Sequence, residues 1–293
     1  MSTLKGIVSE SYRISEVELG RLAAPLDMVN IEVLEVPESG QEVNEVWAVD
    51  SGFTTVSYLG LLIGLIHAVA LKVPGMARRT IVKSAVINND DELAHLARNI
   101  EAELALSLPI SKGAVIMVDG PLSSLDQGIL SQLIDKVKAM NGYLMSFTKD
   151  SRSLKAGIEG YESVSGQALA MVAFNKYRVK KGSTNRPLVT KPARVMGGLV
   201  SFYMQHTPAA PPIYIEASDN VLNNLGILNG VLRMMSREGY PLPLYVADKL
   251  AKLSSSLRGW FTLSLVRLSS GEVEPLVYRY VRDLLGLGRG RRL

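Results

Sequence analysis

The stretch GAVIMVDGPL, residues 113–122, decides the fold class of this chain. Five apolar residues in succession, followed by Asp119, predict a buried strand, and the glycine and proline that come next force a turn. Residues 123–140 follow as a predicted helix, and GYLMSFTK at 142–149 as a further strand. This alternation of strands and helices is typical of an α/β domain.

The residues that precede this stretch predict three strands without a helix between them. These are EVWAVD at 45–50, the apolar run at 57–73 and TIVKSAVI at 80–87. Strands that follow one another so closely favour antiparallel pairing, so we expect a mixed sheet. The polar cluster at 88–91 then predicts a helix N-terminus, and its apolar spacing extends that helix to about Ser107.

The second half of the chain predicts four more elements. Two are strands, at 197–206 and 212–217, and two are helices, at 219–238 and about 243–257. The fold class is therefore expected to be α/β, a mixed sheet flanked by helices.

Three parts are expected along the chain. Residues 1–44 form an N-terminal extension, 45–285 a single domain, and 286–293 a basic tail.

With 47% hydrophobic and 20% charged residues, the chain is excluded from the intrinsically disordered class. The absence of cysteine excludes disulfide scaffolds, thiolate zinc sites and cysteine nucleophiles, and three histidines without an HExxH pair disfavour a histidine zinc site.

One segment, residues 51–71, is uncharged and long enough to be weighed as a membrane span. It follows Asp50 directly and contains hydroxyl side chains, His67 and two glycines, which favour a buried strand instead. The first twenty residues lack the basic-then-apolar order of a signal peptide. We therefore expect a cytoplasmic protein without a membrane partner.

Two carboxylates, Asp50 and Asp119, each end a predicted apolar strand. In α/β sheets, ligands gather beyond the carboxyl ends of strands, so the two are expected to lie close together. Neighbouring carboxylates repel unless they share a proton or bind cations, and their oxygens suit Mg²⁺ or Mn²⁺. The alternative is that each aspartate only caps a turn.

Further acidic residues complete a candidate metal site. The helix behind the third strand carries Glu101 and Glu103, and the helical wheel does not decide which of them faces the aspartates. Asp248 lies beside the apolar side of a late helix. Strand Asp, helix Glu, strand Asp and helix Asp in this order are the layout of a ribonuclease H-like nuclease site, where two metal ions promote phosphodiester hydrolysis.

Residues 163–215 contain no acidic residue and are interpreted as a basic insertion that contacts DNA phosphates. The alternative is a solvated loop. Lys149, at the end of a predicted strand, is a candidate to hold the scissile phosphate. No GxxxxGK[ST] loop is present, so the chain is not expected to hydrolyse ATP. The candidate DNA-binding residues are Lys176, Arg178, Lys180, Lys181, Arg186, Lys191 and Arg194.

Four short motifs together resemble the NurA nucleases of archaea and some bacteria. They are AVDSG at 48–52, VDGPL at 118–122, SFTKDS at 146–151 and GYPLPLYVAD at 239–248. The resemblance runs from about Val46 to Ser254, and the last motif is the most specific.

The resemblance implies a ribonuclease H-like fold and a Mn²⁺- or Mg²⁺-dependent DNA nuclease with 5′→3′ exonuclease and single-strand endonuclease activity. It also implies a homodimer that acts with the hexameric ATPase HerA in DNA end resection. On the motifs, Asp50 and Asp119 match metal ligands, Glu101 matches the helix glutamate better than Glu103, and Lys149 and Tyr240 match the family's lysine and tyrosine.

The sequence departs from the family pattern at two positions. The family has aspartate-glycine-serine where this chain has Asp50-Ser51-Gly52, and it often has histidine where this chain has Asp248. Aspartate can also bind a hard metal ion. The departures leave a second hypothesis open, a weakly active or inactive adaptor that seats DNA on the ATPase.

Overall fold

The computed structural model describes residues 31–38, 42–58, 61–148, 166–182, 184–236 and 238–269. Lys149, most of the predicted extension and the basic tail therefore lie outside the described residues. The described strands are β1 Val33–Glu35, β2 Val46–Tyr58, β3 Leu61–Val73, β4 Arg78–Ile87, β5 Val115–Asp119, β6 Tyr143–Thr148, β7 Leu188–Thr190, β8 Ala193–Arg194, β9 Leu199–Gln205 and β10 Ile213–Ser218. The described α-helices are α1 Asp90–Ser107, α2 Gln127–Ala139, α3 Gly166–Lys180, α4 Ile227–Leu232, α5 Leu242–Ala251 and α6 Ser255–Ser269.

All ten described strands belong to one mixed sheet, as the sequence predicts. Its order is β1-β7-β9-β10-β6-β5-β2-β3-β4, and β8 pairs with β9. The pairs β2–β5 and β5–β6 are parallel, and the other pairs in this order are antiparallel. The parallel strands thus lie at the centre of the sheet, where the two aspartates are found.

The β2–β3 hairpin is longer than predicted. The expectation that a strand ends at Asp50 is wrong, because β2 continues to Tyr58 and pairs with β3 along its whole length. The uncharged stretch at 51–71 therefore supplies the two arms of a hairpin. Within the described ranges, no helix has the length and apolar character to span a bilayer.

Two predicted helices are interrupted. In place of one helix at 219–238, a 3₁₀ turn covers Asp219–Asn223 and α4 begins only at Ile227. Asn224, between them, has the non-helical backbone angles φ −150° and ψ 69°, and its side-chain amide donates to the Tyr143 hydroxyl at 2.9 Å. The helix predicted at 243–257 ends at Ala251, and a second helix follows it, starting at Ser255.

Helices cover both faces of the central strands. On β2, Trp47 and Val49 pack in the cluster that contains α1 and α2, whereas Val46 and Ala48 pack in the cluster with α4 and α5. Side chains alternate between the faces of a strand. Continuing this alternation directs Asp50 towards α5 and Ser51 towards α1.

Candidate metal centre

Asp50 and Asp119 lie side by side in the sheet. The parallel pairing of β2 with β5 ends at Val49 opposite Val118, so the next residue on each strand is an aspartate. Paired strands are about 4.8 Å apart, which places the two residues well within the distance that a shared cation site requires. The structure thus brings the pair together, although at the end of the parallel ladder and not at the end of β2.

Asp50 is buried, with 5% of its surface exposed. Its Oδ1 accepts a hydrogen bond from the Ser51 backbone at 2.7 Å, while its buried Oδ2 has no hydrogen-bond partner among the described residues. Burial, reinforced by the negative charges of Asp119 and Glu101, raises the pKa of Asp50 to about 8. Asp50 Oδ2 therefore lacks a polar partner among the described residues, although the carboxylates of Asp119 and Glu101 are nearby.

Of the two glutamates on α1, Glu101 is the one at the site. It is 3% exposed, and its Oε1 accepts a hydrogen bond of 2.6 Å from the Ser51 hydroxyl. Burial raises its pKa to about 7, although the Arg98 guanidinium acts in the opposite direction. Glu103 points away to the surface, where it forms a 2.5 Å ion pair with Lys83.

Arg98 is a site residue that the sequence analysis missed. Its guanidinium donates to Glu101 Oε2 and to the backbone carbonyls of Asp119, Gly120 and Pro121, the last at 2.9 Å. It therefore ties α1 to the turn that follows β5. Its position three residues before Glu101 on the helix was the signal that could have identified it.

Helix α5 brings Asp248 to the site because it packs unusually close to the hairpin. A Cβ on Gly52 would lie only 2.4 Å from the Ala251 carbonyl oxygen, and His67 Nδ1 lies 3.2 Å from the same oxygen. Asp248 is one turn earlier on α5, and its charge contributes to the raised pKa of Asp50. A glycine at position 52 is thus required for this close approach.

Tyr240 closes the site from the α5 side of the sheet. It is 8% exposed, and its hydroxyl interacts with the Asp119 carboxylate. Burial, followed by the charge of Asp119, raises the pKa of Tyr240 above its usual range. The phenol therefore stays protonated and can donate a hydrogen bond, but it is unsuited to act as a base.

The residues at this site fit a divalent cation in type and in charge. Carboxylate oxygens are the ligands that Mn²⁺ and Mg²⁺ prefer, and a cation would offset the burial and the repulsion that together raise the pKa of Asp50. As placed, no three His, Asp or Glu side chains of the described segments form a metal-binding group. The two carboxylate oxygens of Glu101 are instead bound by Ser51 and Arg98.

The basic stretch is less available for DNA than its sequence suggested. Arg178 is buried and donates to Gln205 at 2.5 Å, which corrects its assignment as a DNA contact. Arg186 pairs with Glu35 and Glu38 at 3.0 and 2.7 Å. Lys191 likewise pairs with a glutamate of the 31–38 segment. Acidic residues distant in sequence thus neutralise part of this surface.

Four other members of the basic set are exposed, and their role in DNA binding stays a prediction. They are Lys176, Lys180, Lys181 and Arg194.

Comparison with known proteins finds likeness in structure. The chain matches no protein-family model and no curated protein. It is similar to the NurA nuclease from Sulfolobus solfataricus, with 14% identity, a TM-score of 0.62 and coverage of 94% of this chain and 98% of the other. It is also similar to a NurA with manganese, with 12% identity, a TM-score of 0.58 and coverage of 89% of this chain and 98% of the other. A NurA bound to dAMP and manganese has 12% identity and a TM-score of 0.52, and the match covers 86% of this chain and 93% of the other.

These matches span nearly the full length of both chains at low identity, so what they establish is the fold. The predicted ribonuclease H-like sheet flanked by helices is confirmed, and the chain has the fold of the NurA nucleases.

Proposed function

We propose that this chain is a metal-dependent DNA nuclease of the NurA family, with 5′→3′ exonuclease and single-strand endonuclease activity. The observation that carries the proposal is the buried pair Asp50 and Asp119, side by side on parallel strands with Glu101 and Asp248 beside them. Solved structures with the same fold are described as bound to manganese and to dAMP, and this supports the choice of ion and substrate.

The ligands of Mn²⁺ or Mg²⁺ would be Asp50, Asp119 and Asp248, joined by Glu101 once it leaves Arg98. Two bound ions would supply an activated water and charge stabilisation at the phosphodiester. The unpaired Oδ2 of Asp50 is available for this without breaking a hydrogen bond in the described part of the chain.

Two further residues, Tyr240 and Lys149, would help to position the site and the substrate. The protonated phenol of Tyr240 donates its single hydrogen bond to Asp119 and so holds this carboxylate in position for the substrate. Lys149, which follows β6 in sequence, would hold the scissile phosphate as a positive charge.

The proposal extends to the partners of the chain. Lys176, Lys180, Lys181 and Arg194 would contact the phosphates of single- and double-stranded DNA ends. In this proposal the chain acts in the cytoplasm as a homodimer, together with a HerA-like hexameric ATPase in end resection and repair. The motif resemblance of the sequence supports these partners.

A nuclease assay on 5′- and 3′-labelled DNA tests the proposal, with Mn²⁺, Mg²⁺ or EDTA present. We expect cleavage with Mn²⁺, none with EDTA, and losses of at least a hundredfold in Asp50→Ala and Glu101→Ala. Glu103→Ala is the matched control, because it lies on the same helix but faces solvent, and it should cleave like wild type. Undiminished cleavage in EDTA or by Asp50→Ala would overturn the proposal.

A second candidate is a non-catalytic adaptor that seats DNA on the ATPase. The capture of Glu101 by Arg98 and Ser51 favours it, as does Asp248 in place of the family's usual histidine. Binding to the ATPase without any Mn²⁺ binding would support the adaptor, whereas robust cleavage would exclude it.

A further inference from the structure

A groove of about 650 Å³ opens beside the candidate metal centre. Tyr240 and Asp248 line one part of it, so the groove is continuous with the site. Pro211 and Pro212 also line the groove, and the Gln167 amide donates a 2.7 Å hydrogen bond to the Pro212 carbonyl. The volume is in the range of pockets that take one small ligand.

Helix α5 presents an aromatic surface to this groove. Tyr245 lines the groove with 49% of its surface exposed, and Leu242, also in the lining, is 48% exposed. Tyr245 and Asp248 are three residues apart on one helix, so their side chains are neighbours. A large apolar ring is thus kept in solvent within one helical turn of a proposed metal ligand.

Positive charge accompanies the ring. The Lys249 ammonium lies 5.2 Å from the centre of the Tyr245 ring, and Lys252, one turn further, is 3.1 Å from Asp248. Glu238 is the other acidic residue in the described lining. An aromatic ring flanked by lysines is the combination that binds single-stranded nucleic acid, because bases stack on the ring and phosphates pair with the ammonium groups.

We propose that this groove binds one unpaired nucleobase next to the phosphodiester that is cut, with Tyr245 as the stacking surface. The inference rests on the proposed function and adds a substrate requirement to it. The groove has room for a base, and stacking on Tyr245 requires a base whose face is not covered by a neighbouring base. Stacking on a ring does not distinguish the four bases, so the site accepts any sequence.

The direct test is binding of a 5′-labelled single-stranded oligonucleotide to the full chain in EDTA, measured by fluorescence anisotropy. We expect Tyr245→Ala to bind about tenfold more weakly and Tyr245→Phe to bind within twofold of wild type, because Phe keeps the ring. Phe53→Ala is the control, because Phe53 is an aromatic residue that is 44% exposed and does not line the groove.

Abasic oligonucleotides identify the contact itself. Removing the base at one position should weaken binding to wild type and to Phe53→Ala about tenfold, and should have no effect on Tyr245→Ala, because the stacking contact is already lost. Tyr245→Ala binding as tightly as wild type would overturn the inference. So would an abasic effect that is undiminished in Tyr245→Ala.

Parallel cleavage assays in Mn²⁺ separate this inference from the proposed function. Under the inference, Tyr245→Ala raises KM about tenfold and leaves kcat within about threefold. If wild type does not cleave but the base-dependent binding through Tyr245 is present, the nuclease proposal fails and the binding site stands. If wild type cleaves and Tyr245→Ala is unchanged in both binding and KM, the groove inference alone fails.

Discussion

Neutralising Asp50 is expected to stabilise the metal-free protein. The unfolded chain releases the proton of Asp50 near pH 3.8, whereas the folded protein holds it up to about pH 8. Folding at pH 7 therefore requires uptake of a proton, which costs about 4 kcal/mol at about 1.4 kcal/mol per pH unit. Asp50→Asn removes this cost and keeps an oxygen that can accept from the Ser51 amide.

The sign of the pH dependence follows from the raised pKa. Stability contributed by protonated Asp50 is complete below pH 3.8 and is lost as the pH rises towards 8. The advantage of Asp50→Asn in EDTA should thus be about 2 kcal/mol at pH 5 and about 4 kcal/mol at pH 7.

Urea unfolding in EDTA at the two pH values measures this difference. Glu103→Gln serves as a control, because its surface ion pair with Lys83 should contribute less than about 1 kcal/mol. Mn²⁺ should stabilise wild type and leave Asp50→Asn nearly unchanged. An Asp50→Asn variant that is less stable than wild type at both pH values would refute the reasoning.

Three further changes test how the site is held together. Arg98→Met should destabilise the protein by about 3 kcal/mol in urea unfolding, because it leaves Glu101 buried without its cation, and a stability equal to wild type would contradict this contact. Gly52→Ala should displace α5, cost about 1–3 kcal/mol and lower cleavage at least tenfold, whereas Gly259→Ala, which meets no atom within 4 Å, should do neither. Tyr240→Phe should fold normally and lower kcat about tenfold with little change in KM, and an unchanged kcat would show that the hydroxyl has no part in catalysis.

Local sequence signals were sufficient for the elements at the centre of the sheet. The apolar run before Asp119 predicted β5, and the polar cluster at 88–91 predicted α1. The side chain of Asn89 caps this helix by accepting a hydrogen bond from the backbone amide of Glu92. The meeting of Asp50 with Asp119 followed because parallel strands bring their carboxyl ends to one edge. These features depend on short-range patterns and on a general rule of sheet geometry.

Features that depend on contacts between distant segments were not predictable in the same way. The end of β2 was misplaced because Asp50 is polar, yet the strand continues against β3, whose pairing stabilises it. The acid-free stretch carries a positive charge in sequence, but Glu35 from a distant segment pairs with Arg186. The role of Arg98 likewise depends on the turn after β5, which packs against α1 only in the folded chain.

Calorimetric titration of the full chain with Mn²⁺ tests most directly whether Asp50, Glu101, Asp119 and Asp248 jointly bind cations. At pH 7, binding should release between one and two protons, detectable as a heat that varies with the buffer, because Asp50 and the protonated fraction of Glu101 must ionise to become ligands. Asp119→Asn should weaken binding at least tenfold. Wild type that binds no Mn²⁺, or Asp119→Asn that binds as tightly as wild type, would contradict the account.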